Sequence, residues 1–227
     1  MKLSFTFFLL MFLFINLSFG QNKFESKNGS KKYIADIIVE NCSEENCQGS
    51  GTIKLIDKTS KKVFQTFTSE DLFFYLDQNR SLNSKELSNE ESPLIFLDFN
   101  FDENEDLAIR NGNNSSYGGP SYDVYVSNSS KTKFILSDEL TDLAAGNLGM
   151  FEIDSKRKRI ITNSKSGCCW HQSSEYIVIP KIGLKLVYSQ EENATGGEFV
   201  EVTTKELIKN KWKTKIKKYK IKEFYKD

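Results

Sequence analysis

Strand-like runs, interrupted at short intervals by turn-forming residues, are what most restrict the folds open to this chain. Runs rich in Ile, Val, Leu, Phe, Tyr and Thr fall at residues 33–40, 51–56, 63–68, 71–76, 94–97, 106–109, 122–126, 134–136, 149–153, 159–162, 176–179, 184–188, 199–202 and 212–216. Clusters of Asn, Asp, Ser, Gly or Lys separate them. Each run is about three to eight residues long, the usual length of a strand. Residues 57–62, DKTSKK, have the composition of a hairpin turn. The run 212–216 alternates Lys with apolar residues or Thr, as a solvated edge strand does. Only 138–145 and 204–208 read as helix. Many short strands at close spacing predict an all-β chain: a sandwich, a barrel or a propeller, among which spacing alone does not choose. KELSNEES, residues 85–92, is the best candidate for a break. It would divide an N-terminal β segment, 21–90, from a second domain, 91–227, with one continuous domain over 21–227 as the alternative.

Residues 1–20 are expected to lie outside the fold. Lys2 gives a positive start, residues 7–15 form an unbroken apolar run, and Ser18 and Gly20 are small residues before Gln21. Charge, apolar core and small-residue exit in that order mark a secretory signal peptide. A membrane anchor would need an uninterrupted span of roughly 18 residues, and Asn16 and Ser18 break this one. No later stretch is apolar and long enough to span a bilayer, so the mature chain is expected to be periplasmic or extracellular. Without residues 1–20 and their one charged residue, Lys2, the chain carries 30 basic and 31 acidic groups. That balance argues against nucleic acid as the main partner. A single His among 227 residues excludes a His-rich metal site.

Export changes how the four cysteines read, because disulfides persist in oxidising compartments. Cys42 and Cys47 lie in NCSEENCQ, and Cys168 and Cys169 are adjacent in SGCCWH. A Cys42–Cys47 bridge is the local choice. The pairing of the other two stays open, since a vicinal bridge is strained and rare. A zinc site of the four thiols is disfavoured, because adjacent cysteines reach one tetrahedral ion poorly and export favours disulfides.

Charge is unevenly placed along the chain. Residues 86–106 hold eight carboxylates and no basic residue, and residues 205–222 hold nine lysines. The lysines read first as a solvated edge that blocks sheet-to-sheet aggregation, and second as a surface for an anionic partner. Within the acidic stretch, Asp98, Asn100, Asp102 and Asp106 stand at relative positions 1, 3, 5 and 9, and the Asn104 carbonyl fills position 7. Calcium takes six to eight hard oxygens, and alternate residues of a tight loop can turn them toward one centre. Three carboxylates brought together without a cation repel strongly. The twelfth position is Ile109, not Glu, so the loop is no EF-hand. Position 6, usually Gly for the sharp turn, is Glu103, which at positive φ is strained by roughly 1 kcal/mol.

LDFNFDENEDLAI, followed by NNSSYGGPSYDVYVSN, DELTDLA and FEIDSKRKRIITNSKSGCCWH, resembles a family of exported bacterial proteins with FG-GAP-like calcium loops over residues 93–190. One branch comprises periplasmic immunity proteins that inhibit lysozyme-like toxins. The resemblance implies a propeller-like all-β fold, a calcium cofactor held by Asp98, Asn100, Asp102, Asn104 and Asp106, and a lysozyme-like enzyme as protein partner. The acidic 86–106 stretch suits a basic target of that kind. Two other readings compete. In one the chain is a structural or adhesive cell-envelope module that uses calcium for stability alone. In the other it is a hydrolase, built on Cys169 with His171 or on paired carboxylates.

Overall fold

The structure, a computed structural model, describes residues 22–77 and 85–225. The expected signal peptide, residues 1–20, lies outside the described residues. The chain forms three antiparallel sheets, none closed into a barrel. The first joins β1 (Asn22–Ser26), β2 (Tyr33–Cys42), β3 (Asn46–Asp57) and β4 (Val63–Tyr75). The second joins β5 (Leu94–Leu97), β6 (Asp106–Arg110), β7 (Tyr122–Ser127) and β8 (Phe134–Leu136). A helix, α1 (Asp138–Gly146), then leads to the third sheet. This contains β9 (Glu152–Asp154), β10 (Arg159–Ser166), β11 (Trp170–Ile179), β12 (Gly183–Asn193), β13 (Phe199–Ile208) and β14 (Lys211–Lys220), and a short α2 (Ile221–Phe224) follows. In every sheet the strands neighbour one another in chain order, so each is an uninterrupted meander. No helix of the described residues is long and apolar enough to cross a membrane.

Period-two alternation sets the inner faces of the first sheet. Tyr33, Ala35, Ile37 and Val39 on β2 point inward, and Cys47, Ile53 and Leu55 on β3 join them. Gly51 is required there, because a Cβ at that position would stand 2.6 Å from Leu72 Cδ2. The second sheet behaves differently. Asp106, Leu107, Ala108 and Ile109 on β6 are all buried, which requires cover on both faces. Leu107 and Ile109 pack into the core of the first sheet with Leu94 and Phe134. Ala108 and Val124 pack the opposite way, with Leu140 and Ala144 of α1 and Ile160 of the third sheet. The second sheet is therefore the middle layer between two cores. The first core also takes Leu87, and so draws on side chains from both sides of residue 90.

Helix α1 is started by Ser137, whose side chain accepts a hydrogen bond from the Leu140 N–H, with Asp138 and Glu139 in the first turn. The helix expected at 204–208 is instead the end of β13. Pairing overrides its weak helix preference: Thr204, Glu206 and Leu207 stand opposite Lys215, Lys213 and Trp212. Lys209 and Asn210, at φ 48° and 60°, form the two-residue turn between β13 and β14.

Cys42 and Cys47 are register partners at the end of the β2–β3 hairpin and form one disulfide. Cys168 and Cys169 form the second, within the tip of the β10–β11 hairpin. Cys169 therefore has no free thiol to act as a nucleophile beside His171.

Candidate metal centre

The acidic loop, residues 98–105, links β5 to β6 and is held at both ends. Phe99 is fully buried in the second core and meets Phe151 edge to face at 5.6 Å. Phe101 packs against the same cluster. Driving these two rings inward leaves Asn100 between them, and Asp102 beyond them, on the solvent side. It also imposes left-handed backbone at Phe101, φ 63°, and at Glu103, φ 68°. Glu105 ties the loop's far end to the β1–β2 connection, accepting hydrogen bonds from Ser30 Oγ at 2.8 Å and the Lys31 N–H at 3.0 Å.

The oxygens turn toward the loop's own amides. Asp98 accepts from the N–H groups of Asp102, 3.0 Å, and Glu103, 2.8 Å. Asn100 Oδ1 accepts the same Asp102 N–H at 3.0 Å, so the Asp98 and Asn100 oxygens face a common point. Asp102 Oδ1 accepts from the Asn104 N–H at 2.9 Å and from its Nδ2 at 3.0 Å. The Asn104 side chain thus covers Asp102 with its nitrogen. Beneath them Asp106 is fully buried. Its two oxygens accept N–H groups from Phe99, 2.9 Å, and from Ser127 on β7, 2.8 Å. Burial first, and then the charges of Asp102 and Asp98, raise the Asp106 carboxyl to about 7 against the opposing pull of the Ser127 and Phe99 amides.

The structure therefore brings Asp98, Asn100 and Asp102 together, sets Asp106 under them as a staple to the middle sheet, and places Asn104 as a cover. Carboxylate and amide oxygens are the donors that a hard divalent cation takes, so the residues fit calcium in kind. Among the described residues, no three His, Cys, Asp or Glu side chains converge as a metal cage. To hold an ion, the loop would exchange its own N–H partners for it.

Beside the loop lies a cleft of about 470 Å³, lined by Asn100 and Asp102, by Glu139 and Leu140 of α1, and by Val178 and Leu184 of the β11–β12 hairpin. Glu139 accepts a hydrogen bond from the Leu184 N–H at 3.2 Å, which fixes one wall. Sequence spacing pointed to the loop but not to this cleft, because its walls lie some 40 to 85 residues downstream of the loop.

No protein family model matches the chain, and no curated protein matches it. One solved structure, that of a Xanthomonas Type IV Secretion System related protein, is similar to it, with a TM-score of 0.61. The two share 18% identity, and the match covers 88% of this chain and 94% of that one. At that identity the likeness is one of fold.

Proposed function

We propose that the protein is an exported calcium-binding β module that binds and restrains a protein partner of the lysozyme-like class. The observation that carries this reading is the grouping of Asp98, Asn100 and Asp102, of which Asn100 and Asp102 line the cleft, on a loop whose two phenylalanines pack into the core. An acidic rim beside a partly apolar cleft suits a basic partner surface. The two disulfides support an oxidising compartment. Three meanders layered about two cores fit a sandwich-like arrangement, the alternative to a propeller, since the third has six strands and not the four of a blade. The likeness in fold to a secretion-related protein is in keeping with a role outside the cytoplasm.

In the test, the purified protein is mixed with lysozyme-family enzymes of several classes and the clearing of a cell-wall suspension is followed in calcium and in EDTA. Slower lysis in calcium, restored by Asp98→Ala with Asp102→Ala, is the expected result. Unchanged lysis with every class overturns the inhibitory reading. A thermal melt that moves no further with calcium than with EDTA overturns the calcium reading. The stapling of the loop to β7 through Asp106 favours one further reading, that calcium serves stability alone. A calcium-dependent melt without any inhibition would select it.

A further inference from the structure

The outermost strand of the third sheet carries a charge pattern that the calcium loop does not explain. β14 is ten residues long, at one end of the six-strand order, so one side of its backbone is unpaired among the described residues. Alternation places Lys211, Lys213, Lys215 and Lys217 on one face, about 7 Å apart. The other face carries Trp212, Thr214, Ile216 and Lys218, with Trp212 47% and Ile216 58% exposed. Lys218 pairs with Glu201 at 3.1 Å, whereas the other five lysines of the strand have no described carboxylate within 4.0 Å.

We propose that β14 is a docking edge for an extended acidic segment of a protein partner, taken up by strand addition. An added strand places its side chains directly opposite those of β14, about 5 Å away. Acidic residues at alternate positions would then meet the four lysines, and apolar residues between them would lie beside Trp212 and Ile216. A second copy of this chain is a poor occupant, because its lysines would face these at the same distance. A lipid surface fits less well, because the lysine row and the exposed Trp212 and Ile216 are on opposite faces and cannot meet one plane together. The acidic–apolar alternation demanded of the partner follows from the period of the strand itself.

The test is fluorescence anisotropy of a labelled ten-residue peptide in which Glu alternates with Val and Thr, titrated with the purified protein in EDTA. Comparators are a peptide of the same composition with its glutamates contiguous, the alternating peptide N-methylated at every second backbone nitrogen, and vesicles of mixed phosphatidylcholine and phosphatidylglycerol. The alternating peptide is expected to bind about tenfold more tightly than either altered peptide and to slow amide exchange within 211–220. Replacing Lys211, Lys213, Lys215 and Lys217 together by Glu is expected to abolish binding without unfolding the protein. The exchange measurement on the unaltered protein stands apart from that variant. Equal binding of the contiguous-glutamate peptide would reduce the strand to a diffuse polyanion surface and overturn the proposal. Binding to vesicles but not to peptide, or no binding at all, would overturn it equally.

Discussion

At the scale of single residues, the acidic loop stores two costs. The first is Glu103 at φ 68°, where a side chain with a Cβ is strained. Glu103→Gly is expected to stabilise the protein by roughly 0.5 kcal/mol, the strain relieved exceeding the added freedom of glycine in the unfolded chain. Thermal melts of the two proteins check it. The second is Asp106, whose carboxyl rises from 3.8 to about 7 on folding, chiefly through burial. Between those values the folded protein keeps a proton that the unfolded chain has lost. Its contribution to stability is therefore full below the unfolded value, declines as pH rises toward 7, and stays low above it. The charges of Asp102 and Asp98 raise the group and so enlarge that loss. Urea unfolding in EDTA is expected to give lower stability at about pH 8 than at about pH 5, with the difference flattened in Asp106→Asn. The spacing of the loop oxygens was legible because it follows from neighbours in sequence. The Asp106 staple was not, because its partner, Ser127, arrives 21 residues later on another strand.

Among the elements, the short runs at 94–97, 106–109 and 134–136 mark strands closely, although of the three only β6 is buried along most of its length. The longer strands were harder. Runs at 63–68 and 71–76 are one strand, β4, which continues through Ser69 and Glu70 where its partner β3 shifts register between Gly49 and Gly51. Turn chemistry also hid several hairpins. Lys131, Lys158, Lys181 and Lys209 hold left-handed positions where Gly or Asn is the usual signal. β6 yields the sharpest prediction at this scale, because its side chains serve cores on both faces. Leu107→Ala is expected to cost roughly 2–5 kcal/mol. Circular dichroism and tryptophan fluorescence should shift to the same lower denaturant midpoint, although Trp170 and Trp212 both lie in the third sheet.

For the molecule as a whole, an all-β architecture could be read from the rhythm of strands and turns, but the stacking of three meanders around a buried middle sheet could not. That stacking depends on a shared core that gathers Ala108 and Ile160, residues far apart in sequence. The cleft escaped for the same reason, since it exists only where α1 and the β11–β12 hairpin close on the loop. The two disulfides join cysteines five residues apart and one residue apart. Neither link ties one layer to another. Oxidation can finish inside each hairpin as the chain emerges, and thiol pairing places no demand on the order in which the layers assemble.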